Sequence, residues 1–332
     1  MPIQSKPISS LTRRAFGVSL CAVGALLAGA ALPAAADTFP SKPITVIVPF
    51  PPGGSGDALM RTLGLAAAAD LGQPVVIMHK PGGGAVTGTA SLTQNVPADG
   101  YTLALMHNSV IRHPLLQKVS WDPLADFTYV MGLVSLSTIV TVRADAPWKS
   151  IQELLADAKA RPGAISYGNV GAASANRIAG EQLARAAGGQ FNMIPFKGGA
   201  EAVTAVLGGH LDVYGDPGVG PVAISGKLRV LASLTDQRLK RFPNVPTAKE
   251  AGYNVAVYSP FGVVGPKGMD PAVVARLQNA FRKATADPAY QKVLEDYDLQ
   301  PFLMSADEYR KYAAEQFARE KVLLPQLGFK PE

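Results

Sequence analysis

The chain has 332 residues, 48% of them hydrophobic, 7% aromatic and 17% charged, a balance that excludes a disordered chain and suits two α/β domains rich in small aliphatic residues. Half of the net charge of +6 comes from the first 36 residues, where Lys6, Arg13 and Arg14 stand without an acid; taking those three from 31 basic residues leaves 28 against 25 acidic. The remaining basic residues are scattered, with no run and no interleaved aromatics, which excludes a nucleic-acid footprint.

Residues 1–14 are a basic start, 15–33 are apolar and small, and Ala34-Ala35-Ala36 precede Asp37. This is the order of a secretory signal peptide, with cleavage expected after Ala36. Thr12-Arg13-Arg14-Ala15-Phe16 resembles a twin-arginine signal; the general secretory route and an uncleaved anchor are the alternatives. The one cysteine, Cys21, lies inside this leader, so the mature chain has no disulfide, thiolate metal site or cysteine nucleophile.

Past the leader, the β-branched run 44–48 between Pro43 and Pro49 predicts a buried strand. A Gly-rich loop and a helix over 58–70 follow. Next come strand 75–78, a Gly-rich turn 81–84, a helix over 85–95 and strand 101–106. Strand 138–143 leads through Pro147 to a helix near 149–160. Strand 261–264 leads through Pro266 and Pro271 to a helix near 271–286. Between these two units lies a region with its own α/β pattern: strands at 164–167, 191–195, 211–214 and 228–233, and helices at 175–187 and 199–208. Polar-faced helices at 287–296 and 306–321 end the chain. Strands alternating with helices predict parallel sheets covered by helices. The bracketing predicts two lobes, 37–140 plus 260–332 and 141–259, joined by two crossing segments near 138–143 and 258–263, with a ligand between them.

The loop 49–57, which holds Pro52, Gly53, Gly54, Ser55 and Asp57, joins a strand to a helix. Glycines let backbone approach a ligand closely, and the helix start offers unpaired N–H groups and a positive dipole end. Such a site holds a carboxylate without Lys or Arg. Asp57 is placed to cap those amides or orient bound water. The stretch 167–177 repeats the device with Asn169, Ala173, Ser174, Asn176 and Arg177. Ser174 and Asn176 are also good helix caps, and Arg177 either makes a charge-assisted contact or points to solvent. His107 and Ser109 follow one strand at the end where open α/β sheets bind ligands, and Phe196 follows another. Asp212 and Asp216 flank Tyr214, with one of the two acids a candidate to face the cleft.

No G-x-S-x-G elbow, Walker loop, S-x-x-K pair, H-E-x-x-H or G-x-G-x-x-G fingerprint occurs. His79, His107, His113 and His210 have no metal spacing with one another. No metal, cofactor or catalytic residue is therefore expected.

Several motifs fall in a familiar order. They are Pro40-Ser41-Lys42-Pro43-Ile44, Val48-Pro49-Phe50-Pro51-Pro52-Gly53-Gly54 with Asp57, Pro97-Ala98-Asp99-Gly100-Tyr101-Thr102-Leu103, Asp122-Pro123-Leu124-Ala125-Asp126-Phe127, Gly226-Lys227-Leu228-Arg229 and Pro243-Asn244-Val245-Pro246-Thr247. On these the chain resembles the tripartite tricarboxylate transporter substrate-binding proteins, the Bug/TctC-like family, over about 39–320. The resemblance implies an α/β two-lobed periplasmic binding protein of type II, a Venus flytrap with two crossing hinge segments. It implies a periplasmic protein that binds a small mono- or dicarboxylate for membrane permease subunits; a monomer is expected, and the scattered charge argues against nucleic acid as a partner. It also carries the binding turns onto 50–57, which adds Phe50, and onto 169–177. The second turn departs from the family pattern: Ala173 replaces a glycine, Ser174 a threonine and Arg177 a histidine. Pro260 stands where an aromatic often precedes Phe261-Gly262, a pair that adds Phe261 to the expected site. These changes bear on substrate identity, not on fold. A sensor component that presents the same ligand to a receptor kinase, and a secreted α/β enzyme with an acid–base site assembled in space, are the alternative functions.

Overall fold

Pro43 and Pro49 bracket Ile-Thr-Val-Ile-Val, a run with the β-branched shape that a pleated, doubly covered strand accepts. It forms β1 (Ile44–Val48), with Ile44, Val46 and Val48 wholly buried. This computed structural model describes Met1 and residues 39–216 and 219–329; the expected leader beyond Met1 and the cleavage point after Ala36 lie outside them. Residues from Lys42 onward form one unit that carries both sheets; Met1–Ser41 form the other.

Chain order after β1 is α1 (Ser55–Leu71), β2 (Val75–His79), α2 (Thr87–Ala90), β3 (Thr102–His107), α3 (Asn108–Arg112), β4 (Phe127–Ser137) and β5 (Ile139–Arg143). Then come α4 (Ile151–Ala160), β6 (Ser166–Asn169), α5 (Ala175–Ala186), β7 (Asn192–Pro195), α6 (Gly199–Leu207), β8 (Val213–Tyr214), α7 (Gly220–Ile224) and β9 (Leu228–Ser233). The chain ends with β10 (Tyr258–Pro266), α8 (Pro271–Ala284), α9 (Pro288–Asp296), β11 (Gln300–Met304) and α10 (Ala306–Gln326). The first sheet has the order β11-β4-β10-β3-β1-β2 and the second β7-β6-β8-β5-β9. Each anchors one lobe with its own core. One core gathers Val110, Tyr129 and Val264; the other gathers Leu154, Leu183 and Val213.

The sheets are mixed, not parallel as expected. β1 pairs in parallel with β2 and β3, and β6 with β7 and β8. β10, however, runs antiparallel to β3 and β4, and β5 runs antiparallel to β8 and β9. The crossing explains this. Only Thr138 separates β4 in the first sheet from β5 in the second, and β10 brings the chain back, so the outgoing and returning strands oppose each other. The crossings are tied side by side: Leu234 N–H donates to the Thr138 carbonyl at 2.8 Å, and Val257 N–H to the Leu234 carbonyl at 2.9 Å.

The helix expected over 85–95 is a four-residue α2 followed by a 3₁₀ turn at Ser91–Thr93. Gly82, Gly83, Gly84 and Ala85 all have left-handed φ, which delays the helix start. Ser91 and Thr93 hydroxyls then donate to the Gly88 and Ala90 carbonyls, a competition that disfavours a longer α-helix. β4, the longest strand, and β11 were not among the expected elements.

Candidate functional site

Two helices that begin at glycine-rich turns set the chemistry of the site. α1 starts at Gly54, whose backbone is extended and which has no side chain to cap the helix; Gly53 before it has a φ of +92°. Asp57, in the first turn, folds back so that its Oδ2 accepts from the Gly53 N–H at 2.9 Å. α6 repeats the device: it starts at Gly198 without a side-chain cap, and Glu201 Oε2 accepts from the Lys197 N–H at 2.9 Å. In both, the acid ties the residue before the cap and leaves the first helical amides to other partners.

α5 is built differently. Ser174 Oγ accepts from the Arg177 N–H at 3.3 Å and donates to the Gly171 carbonyl at 2.7 Å. Asn169 Oδ1 accepts from the Gly171 N–H at 3.0 Å, and Asn176 Oδ1 from the Val170 N–H at 3.4 Å. The other ends of these amides are left over: Asn169 Nδ2 and Asn176 Nδ2 are buried without an acceptor. A buried unpaired donor costs about 1–3 kcal/mol, and Asn176, the one of the two that also lines a cavity, marks a place for an acceptor there.

All three helix starts meet on one cavity of about 320 Å³, at the small end of ligand pockets. From the first turn it takes Phe50, Pro52, Gly53, Gly54 and Ser55; from β3 and α3 it takes His107 and Ser109. Ser174, Asn176, Asp216 and Phe261 complete the expected residues that line it. Phe50, His107 and Phe261 form an aromatic wall, with ring centroids 5.1, 5.7 and 5.9 Å apart. His107 Nε2–H donates to the Ala85 carbonyl at 2.8 Å. Burial pushes its pKa down to about 4, against the pull of that hydrogen bond, so the ring is neutral at pH 7.

Five expected residues lie elsewhere. Asp57 stands behind the first turn, where its carboxylate also meets Arg61 Nε at 2.6 Å and His79 Nε2 at 3.0 Å. Arg177 pairs with Glu181 at 3.3 Å, and its guanidinium lies 5.5 Å from the centre of the Phe329 ring, away from the cavity. Phe196 packs with Leu211 and Tyr214 in the core under α6. Asn169 holds the second turn from behind. Ala173 packs among Leu116, Ile178 and Leu324.

The cavity also takes residues the sequence reading did not name. Thr138 and Ser259 come from the crossings, Glu201 from α6, and Tyr297 from the end of α9, while Gly198 and Gly199 belong to the turn after Phe196 that the sequence did mark. The strand–Gly-Gly–helix pattern was the available signal for α6. Thr138, Ser259 and Tyr297 carry no signal of their own, because only the tertiary path brings them to the cleft.

Among the described residues, no Lys or Arg lines the cavity; the acids Glu201 and Asp216 do. Positive potential there comes from three helix N-termini, each equivalent to roughly half a charge. The lobes approach each other closely at two glycines, Gly171 and Gly198. A Cβ on Gly171 would lie 2.6 Å from Gly84 Cα, and one on Gly198 would lie 3.0 Å from Pro51 Cδ.

Residues 59–329 match the family described as "Tripartite tricarboxylate transporter family receptor". The UPF0065 protein in the gbd 5′ region of Cupriavidus necator is 41% identical over 312 residues, covering 93% of this chain and 95% of that one. The periplasmic binding protein BugD superposes with a TM-score of 0.84 at 28% identity, covering 89% of this chain and all of BugD. R. palustris Rpa4515, solved with adipate, superposes with a TM-score of 0.82 at 25% identity, covering 89% of this chain and all of that one. With the family matched over most of its length and a two-lobed fold shared with solved receptors, the chain belongs to the tripartite tricarboxylate transporter family of receptors, which are solute-binding proteins and not enzymes.

Proposed function

We propose that this receptor works in the periplasm, captures one small carboxylate between its lobes and delivers it to the membrane subunits of a tripartite transporter. The observation that carries this reading is the convergence of α1, α5 and α6 N-termini on one cavity whose wall has no cationic side chain among the described residues. Helix-start amides bind carboxylates by hydrogen bonding and by dipole alignment together. The amides of Ser55 and Gly56 are the proposed acceptor-binding groups on one side, and Asn176 Nδ2 with the amides of Gly199 and Ala200 on the other. Phe50, His107 and Phe261 would pack the carbon skeleton, and Ser109, Ser174 and Thr138 would supply hydroxyls. Adipate in the Rpa4515 structure supports the ligand class.

In this reading the lobes divide at 37–140 plus 260–332 and 141–259, and they close about the Thr138–Leu234–Val257 tie. The leader is removed after Ala36. No helix among the described residues is long and apolar enough to cross a membrane.

The test combines native mass spectrometry of freshly purified protein with thermal melts against a panel of mono- and dicarboxylates that includes adipate. A true ligand raises the melting temperature in step with its free concentration, by about 2.7 kcal/mol of stabilisation at one hundred times Kd. If no acid shifts the melt and none co-purifies, the carboxylate reading fails.

A further inference from the structure

Arg112 ends α3 in the first lobe and is only 2% exposed. Its Nε and Nη2 donate to the two carboxylate oxygens of Glu320 on α10, itself buried, and Gln316 Nε2 also donates to Glu320. The remaining donor, Nη1, reaches out of the lobe. It donates to the carbonyl of Ala173 in the second turn, one residue before the Ser174 cap of α5.

The contact sits in a wider seam. Leu116 and Leu324 from the first lobe meet Ala173 and Ile178 from the second, and Leu323, Leu327 and Phe329 pack around them. Arg177 lies over the Phe329 ring, and Arg185 Nη1 donates to the Gln326 carbonyl. The end of α10 and the residues after it therefore lie along α5, the helix whose start lines the cavity.

We propose that Arg112 is a positioning residue for the second binding turn, and that with the C-terminal tail it forms a third, side-chain connection between the lobes that holds a closed population even without ligand. The physical reason is pairing. A buried guanidinium must keep its donors satisfied. Glu320 satisfies one edge in any arrangement of the lobes, because both residues belong to the first. The Ala173 carbonyl is available only when the lobes are shut. Opening exchanges a charge-assisted bond and a packed apolar seam for water, while closing fixes the carbonyl next to the cap that presents Asn176 to the cavity. The proposal rests on the ligand-holding reading of the second turn only for its effect on affinity; closure itself is measured without ligand.

The experiment uses the chain from Asp37 onward, which has no native cysteine, with spin labels on cysteines placed at two exposed positions, Leu65 on α1 and Gln152 on α4. Double electron–electron resonance then reports the inter-lobe distance in the absence of any ligand. Wild type is expected to show a short-distance population. Arg112→Lys keeps a contact with Glu320 but cannot also span to Ala173, so its closed-to-open ratio is expected to fall about tenfold, the order set by one charge-assisted hydrogen bond. Phe329→Ala, at the far end of the seam, is expected to lower the ratio by a smaller factor, and it carries the same test if Arg112→Lys does not fold. A wild type wholly open without ligand would overturn the proposal. So would variants whose distances match wild type, including the case where the melting temperature drops and the distances do not move, which is the mark of a merely structural role. None of these outcomes depends on which acid binds, so the proposal and the carboxylate reading fail separately.

Discussion

Burial keeps the His107 imidazole neutral, with its Nε2 proton held on the Ala85 carbonyl and its ring against Phe50 and Phe261. The folded pKa is about 4, against about 6.5 for an exposed histidine. Between those values the unfolded chain takes up a proton that the folded chain refuses. The stabilising contribution is therefore complete above about pH 6.5 and is lost as pH falls toward 4. His107→Gln keeps an N–H donor near the Ala85 carbonyl but does not titrate. Wild type should thus lose about 3 kcal/mol more than the variant between pH 7 and pH 4. Thermal melts over that range measure the difference, and parallel curves for the two proteins would mean that His107 takes up its proton as readily in the fold as in the unfolded chain. Asp57 shows why residue type alone misleads at this scale. Its place in the first turn of a helix was legible, yet its carboxylate is taken by the Gly53 amide, Arg61 and His79. It shapes the turn from outside the cavity.

At the scale of elements, the same strand–glycine–helix unit serves both lobes, and its legibility differed with its surroundings. The first copy stood out because Ile44–Val48 is β-branched, two prolines bracket it, and Gly53 and Gly54 follow. The copy at α6 was half visible: the turn 196–199 after β7 was marked and Phe196 was expected in the site, but it is Gly198, Gly199 and Glu201 that line the cavity. An aromatic after a strand looks the same in sequence whether it turns to the cleft or to Leu211 and Tyr214. β4 was not legible because almost all of its residues are buried on both faces, so no alternation marks it as a strand. The close approach of Gly171 to Gly84 has no sequence signature either, since the partners lie on different lobes. It has a clear consequence. Gly171 has a φ of +118°, and a Cβ there would sit 2.6 Å from Gly84 Cα, closer than two carbons can stand without displacement. Gly171→Ala should leave each lobe folded and hold the two apart. We expect affinity for the acid that binds wild type to fall at least tenfold, with a ligand-free melting temperature within a few degrees of wild type. Calorimetric titration checks the first outcome and circular dichroism the second; full affinity in the variant would mean that the lobes close without this contact.

For the whole molecule, what joins the two cores is as important as the cores themselves. Each sheet packs its own cluster, so each lobe has a core of its own, and in the proposed function the two move as bodies about one axis. The axis is short. Thr138 alone separates β4 from β5, and the crossings are tied by two backbone bonds, Leu234 to Thr138 and Val257 to Leu234. Because Thr138 also lines the cavity, the proposed axis borders the binding site, and opening about it would separate contacts such as Gly171 with Gly84. Val257→Pro removes the N–H that donates to the Leu234 carbonyl and leaves that carbonyl without its partner, at a cost of about 1–3 kcal/mol. It touches neither α1, α5 nor α6, so both binding turns keep their local form. The expected result is a normal far-ultraviolet circular dichroism spectrum, weaker binding of the acid, and calorimetric unfolding that separates into two transitions where wild type shows one. A single transition at the wild-type temperature, with binding unchanged, would show that the Val257 to Leu234 bond does not couple the lobes.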